Sequence, residues 1–228
     1  MGTTNIFCLP YAGGSATVLT DALTQKLNSS NYTAVPLELP GRGMRFGEEC
    51  VLSTEDLFQA IEPLLSESTG QDESYYLLGH SMGGELLPHL YHKIIERGGT
   101  PPKGLIICGA EPPEHLALAE TDEASLLKEM KKGGATSEEF FESPELVELF
   151  LPIVQADYLL LNSLVSQIPK QMDCELIIIN GEDDAEALEH HEDWRNYTTA
   201  ECRFFQVAGG HFFITENTET AAIINQHI

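Results

Sequence analysis

Three stretches of this chain hold residue types that can activate one another. Gly79-His80-Ser81-Met82-Gly83 fits the pattern G-x-S-x-G, in which a serine sits on a sharp strand-to-helix turn with glycines where no side chain fits. A hydroxyl is a poor nucleophile at neutral pH. It needs a base within hydrogen-bond reach and an acid that orients the base. Two later segments offer these groups: Asn180-Gly181-Glu182-Asp183-Asp184 and Ala208-Gly209-Gly210-His211. Ser81 is therefore the expected nucleophile, His211 the base and Asp184 the orienting acid. Asp184 is preferred to Asp183 because it lies farther from the preceding apolar run. Either aspartate could instead cap the helix that follows, and a lone histidine is ordinarily a packed surface imidazole. The remaining need is a pair of backbone N–H groups for the developing oxyanion. Met82, after the serine, supplies one; the glycine-rich Pro10-Tyr11-Ala12-Gly13-Gly14 supplies the other through Ala12, with Tyr11 behind it, since Pro10 has no N–H.

Something must bring these stretches together. Apolar runs recur at Asn5 to Leu9, Thr33 to Leu39, Tyr75 to Leu78, Leu105 to Cys108, Glu175 to Ile179 and Arg203 to Val207. Their character is continuous rather than alternating, the mark of strands buried on both faces. Helix-length stretches separate them, including residues 53–66 with a capping pattern at Ser53 to Asp56, and residues 84–97 ending at Gly98-Gly99. The expected class is α/β, a mostly parallel central sheet flanked by helices, with ligands at the carboxyl ends of the strands. Each candidate residue follows a strand, and the order serine, aspartate, histidine is the order of the α/β-hydrolase fold. Residues 122–165 break the alternation with helical periodicity and no strand. A helical lid over about residues 115–165 is expected, inserted in one domain spanning 1–228; an extra helical layer on the body is the alternative.

Composition removes other functions. The chain has 228 residues, 42% of them hydrophobic, with 12 Lys plus Arg against 36 Asp plus Glu, a formal net charge of -24. Such a surface repels phosphate backbones and anionic lipid, so nucleic acid and membrane partners are not expected. No apolar run approaches the ~20 residues that cross a bilayer, and MGTTNIFCLP lacks the basic head and apolar core of a signal peptide. A cytoplasmic monomer is expected. Five cysteines without C-x-x-C spacing read as free thiols, with Cys8, Cys108 and Cys202 in apolar runs. His190 and His191 point about 100° apart on a helix and do not suit one metal ion. No metal or cofactor is expected.

Longer motifs carry a resemblance. Leu9-Pro10-Tyr11-Ala12-Gly13-Gly14-Ser15-Ala16, Leu39-Pro40-Gly41-Arg42-Gly43-Met44-Arg45, Gly79-His80-Ser81-Met82-Gly83-Gly84 and Gly209-Gly210-His211-Phe212 resemble type II thioesterases of nonribosomal peptide and polyketide synthetases. Leu149-Phe150-Leu151-Pro152 and Gln155-Ala156-Asp157-Tyr158 are similar too. The resemblance covers nearly the whole chain. It implies hydrolysis of acyl thioesters on the phosphopantetheine arm of a carrier protein, clearing misprimed groups, with Ser81, Asp184 and His211 in the roles above. Carrier proteins are usually acidic, so docking is expected on a local cation patch, with Lys128, Lys131, Lys132, Lys93, Arg97 and Lys103 as candidates, or else on apolar contact. A hydrolase of free esters, a chain-releasing thioesterase and a non-catalytic binding protein on the same scaffold are the competing readings. A short, free-standing chain favours editing over release.

Overall fold

The computed structural model describes residues 3–68, 74–134, 136–216 and 218–228. The apolar runs become β1 (Thr4–Leu9), β2 (Tyr32–Pro36), β3 (Tyr75–His80), β4 (Gly104–Cys108), β5 (Glu175–Gly181) and β6 (Cys202–Val207). They form one sheet in the order β2-β1-β3-β4-β5-β6, with every neighbouring pair parallel. β3 and β4 are buried along their whole lengths, which explains their unbroken apolar character.

Helices cover both faces. On one face, Phe7, Leu77, Leu105 and Ile178 pack against α2 (Thr54–Ser68) and α3 (Met82–Glu96). On the other, Ile6, Leu78, Ile106 and Ile177 meet α1 (Ala16–Thr24), and the short terminal helices found below join them. Adjacent residues of one strand thus serve opposite cores, as the two-residue period of a strand requires. Between β4 and β5, three helices lie among the described residues: α4 (Glu123–Gly133), α5 (Glu138–Glu142) and α6 (Pro144–Asn162). After β5 come α7 (Ala185–Glu189) and, beyond β6, α8 (Phe213–Glu216) and α9 (Glu219–His227).

The strand order reverses direction between β1 and β3, the place where parallel α/β sheets open a crevice at their carboxyl edge. Tyr11 to Gly14 leave β1 there and Ser81 leaves β3. Among the described residues no helix is long and apolar enough to cross a membrane.

Element bounds depart from the sequence expectations where tertiary contacts compete. The strand expected to reach Leu39 is regular only to Pro36, whose missing N–H falls on the free edge of the sheet. Leu37 still donates to Cys8 O (2.9 Å), and then Glu38 turns inward to accept from the amides of Ala16 (3.0 Å) and Thr17 (3.3 Å), capping α1. α3 starts two residues before Gly84, because the carbonyl of Ser81 already accepts from Gly84 and Glu85. The helix expected to follow Asp184 and to carry His190 and His191 ends at Glu189, and a 3-10 turn follows over His191–Tyr197. That break lets Trp194 sit fully buried and donate to Ala110 O at 3.2 Å.

Candidate active site

The site begins as a backbone problem. Ser81 has φ 54° and ψ -121°, and is the one non-glycine residue with positive φ among the described residues. Such a conformation costs roughly 1–3 kcal/mol and persists only where its surroundings fix it. Here the Ser81 amide donates to Cys108 O (2.8 Å), and its carbonyl accepts from Gly84 (2.7 Å) and Glu85 (3.1 Å). The turn also needs close backbone packing. A Cβ on Gly79 would collide with the Gly83 carbonyl, and one on Gly83 with the Leu9 carbonyl at the end of β1.

His211 and Asp184 approach from two other strand ends. Nδ1 of His211 and Oδ2 of Asp184 are 2.7 Å apart, with side-chain exposures of 33% and 6%. The second carboxylate oxygen, Oδ1, accepts from the Ala187 amide at 3.3 Å. Asp184 thus caps α7 and binds the imidazole at once, so the two roles weighed from sequence are not alternatives. Burial opposes its ionisation, yet the His211 hydrogen bond and charge and the Ala187 amide outweigh that and hold its pKa below the ordinary aspartate value. Asp183 is exposed at the cavity rim.

His80 holds this arrangement from beneath. Its Nε2 lies 2.7 Å from the His211 carbonyl, and since a carbonyl can only accept, Nε2 carries the proton. Burial first, and the neighbouring His211 second, pull the His80 pKa down to about 3, so the ring stays neutral. Tyr11 and Phe212 pack edge-on against it, each with centroids 5.5 Å away.

Met82 and Ala12 are the residues whose amides are expected to hold an oxyanion. Met82 is the first residue of α3, where an N–H has no partner within the helix and the helix dipole favours negative charge. In the loop after β1, Gly13 N donates to Asp157 Oδ2 at 2.6 Å and is therefore taken. Ala12 is its neighbour and lines the cavity with Ser81 and His211.

Asp157 belongs to α6 and is met by Arg42 from the loop after β2. The pair is bidentate, Nη1 to Oδ2 and Nη2 to Oδ1 each at 2.6 Å, and the two side chains are 3% and 1% exposed. Arg42 Nη1 also reaches Gly14 O at 3.4 Å. The Arg42 pKa is raised: burial pulls it down, but the hydrogen bond and charge of Asp157 prevail. Sequence reasoning named both residues only as parts of longer motifs and gave them no task. The usable signal is a charge inside an apolar helix face, which must find an opposite charge when buried.

Ser81, Ala12, Asp184 and His211 line one cavity of about 840 Å³. The inserted helices supply much of its wall, including Met130, Phe140, Phe150 and Tyr158. Carboxylates are also present at Glu85, Glu111, Glu129 and Glu186, with Lys132 held by Glu186. Away from the serine, His115, His190 and Asp193 cluster: the imidazoles stack at 3.9 Å with planes 8° apart, and His115 Nε2 lies 2.8 Å from Asp193. Parallel stacked rings direct their lone pairs side by side rather than toward one ion, so this arrangement is not a chelate.

Comparison with known proteins gives the family and the fold. Residues 4–228 match the thioesterase domain family. Thioesterase PikA5 of Streptomyces venezuelae is 27% identical over 92% of this chain and 75% of its own length. A probable cadicidin biosynthesis thioesterase of Streptomyces griseus is 28% identical over 96% of this chain and 62% of its own length. The crystal structure of ClbQ from the colibactin NRPS/PKS pathway superposes with a TM-score of 0.87 at 27% identity, covering 99% of this chain and 96% of that one.

Two measurements probe the supports of the site. Asp157→Ala leaves the buried Arg42 guanidinium without its counter-charge and should lower unfolding stability by about 3–5 kcal/mol in urea titration. A loss under about 1 kcal/mol would mean that the pair is solvated. The second concerns His80, whose folded pKa of about 3 lies below the free value of 6.5. Between those values the unfolded chain binds one more proton than the folded chain, so stability falls as pH falls. His80→Gln should flatten that slope by about 1.4 kcal/mol per pH unit between about pH 6 and 4. An unchanged slope would show that the folded ring takes up a proton freely.

Proposed function

The chain belongs to the thioesterase domain family, and on that premise we propose that it is a type II, editing thioesterase acting on acyl groups held by the phosphopantetheine arm of a carrier protein. The observation that carries this reading is the 2.7 Å bond between His211 and Asp184 at the wall of the cavity that also receives Ser81 from its strained turn. With Nδ1 committed to Asp184, the other ring nitrogen, Nε2, is the one available to the serine.

In this reading Ser81 gives its proton to His211 as its oxygen attacks the thioester carbonyl. The Met82 and Ala12 amides hold the oxyanion, each worth ~3 kcal/mol. The C–S bond breaks, His211 returns the proton to the departing thiol, and Ser81 keeps the acyl group. Water, deprotonated by His211, then attacks the acyl-serine; the acid leaves and the serine hydroxyl re-forms. A thiol is a good leaving group, so these steps call for no metal or organic cofactor. Helices α4 to α6 act as the lid over the acyl chain. The enzyme works in the cytoplasm as a monomer, in one domain spanning 1–228, and turns over carrier-bound substrates of nonribosomal peptide or polyketide assembly.

Docking must contend with charge. Lys93 and Arg97 both bind Glu55, Lys132 binds Glu186, and Lys131 lies 4.8 Å above the Phe141 ring. Three of the six cations considered for a docking patch, Lys93, Arg97 and Lys132, thus have carboxylate partners, which weakens the local attraction between two acidic proteins.

Ser81→Ala should reduce hydrolysis of an acetyl-carrier thioester at least about a thousandfold. Wild-type turnover should exceed that of a p-nitrophenyl ester of the same acyl group; the reverse order would favour a free-ester hydrolase. Raising salt from about 0.05 to 0.5 M should increase kcat/KM for the carrier-bound thioester, as repulsion is screened, and leave a free pantetheine thioester nearly unaffected. A fall with salt would reveal a cationic docking patch.

A further inference from the structure

One carboxylate in the cavity has no task in the steps above. Glu85 lies in the first turn of α3, and its amide donates to the carbonyl of Ser81, the residue that leads into the helix, at 3.1 Å. Its half-buried side chain lines the cavity with Ser81 and His211. Among the described residues no lysine or arginine pairs with it; Lys132, the lysine of the cavity wall, is held by Glu186 and approached by Glu129. Burial, and then the charge of Glu111, push the Glu85 carboxyl up to about 7, with the His211 charge and a hydrogen bond from the Glu111 backbone amide acting the other way. An enclosed carboxylate beside a nucleophile, short of a cation, is a site for a cation brought by the substrate.

Resting on the thioesterase reading, we propose that Glu85 is a specificity-determining residue that selects acyl groups carrying a protonated amine close to the thioester carbonyl. The placement agrees. Ser81 and Glu85 line the same cavity, and an α-amine lies about 2.5 Å from its carbonyl carbon. With that carbonyl at Ser81, the ammonium stays within the cavity that the Glu85 carboxylate lines. Glu111 and Glu129 add negative potential to the same wall and penalise anionic acyl groups, whereas a neutral alkyl chain gains nothing from the carboxylate and must share the space with it.

Three pantetheine thioesters of the same heavy-atom count separate the possibilities: glycyl, which carries the charge; glycolyl, which can hydrogen-bond without it; and propionyl, which can do neither. Each rate is divided by the uncatalysed hydrolysis of the same thioester, removing intrinsic reactivity. The wild-type protein should prefer glycyl to both others by about tenfold or more in kcat/KM. Glu85→Gln should collapse the glycyl-to-propionyl ratio by about the same factor whatever happens to the absolute rates, and Glu85→Asp should restore part of it. Equal normalised rates for glycyl and propionyl in the wild-type protein would overturn the proposal, as would a ratio unchanged by Glu85→Gln. Because the wild-type ratio alone can refute it, a poorly folding variant does not shield it. Ser81→Ala serves as the control. If that variant still hydrolyses all three, the thioesterase reading itself fails; if it is inert while the wild-type shows no preference, only the role of Glu85 fails.

Discussion

A single backbone conformation sets the terms for everything at the carboxyl edge of the sheet. Ser81 occupies positive φ, and nothing in its own side chain favours that state. The conformation survives because β4 supplies an acceptor for its amide, α3 supplies two donors for its carbonyl, and β1 approaches closely enough to leave no room for a Cβ on Gly83. Three neighbouring elements must therefore be in register before the hydroxyl is presented. The parallel ladder places them there: Leu9 pairs with Gly79, and His80 with Cys108. The strain is local, but the means of holding it is the central sheet.

A second constraint links the inserted helices to the same edge. Asp157 on α6 uses one oxygen for both Gly13 N and Arg42, and the other for Arg42 alone. The insertion is thereby joined to the loop that carries Ala12 and to the loop after β2. A buried ion pair adds little net stability compared with apolar packing, but its geometry is demanding. Here that geometry decides which amides of the first loop are spoken for and which remain free. The inserted helices and the loop after β1 share an anchor, so displacement of α6 would be felt beside Ser81.

What could be read from the sequence follows from how local each signal is. Strand ends carrying Gly79-His80-Ser81, Gly181 to Asp184 and Gly209-Gly210-His211 announce themselves through glycine punctuation after apolar runs, so the α/β class and the strand-end placement of these residues were legible. The pairing of Arg42 with Asp157 spans 115 positions and leaves no periodic trace. Glu38 looked like a polar residue within a strand, and only the nearby start of α1 explains why the chain turns inward there. Trp194 broke a helix that local propensity would have continued, because filling the core outweighed another turn of helix. Glu85 is part of a helix pattern; its place in the cavity with Ser81 acquires meaning only once the inserted helices complete the wall.

The central question is whether the Ser81 hydroxyl is made reactive by the imidazole that Asp184 orients. Labelling with a fluorophosphonate, followed by peptide mass spectrometry, reads this directly, because the reagent requires an activated serine. A single adduct on Ser81, formed at least about a hundredfold more slowly in His211→Ala, is the expected result. An adduct on another residue, or labelling of Ser81 at an undiminished rate without the imidazole, would contradict it.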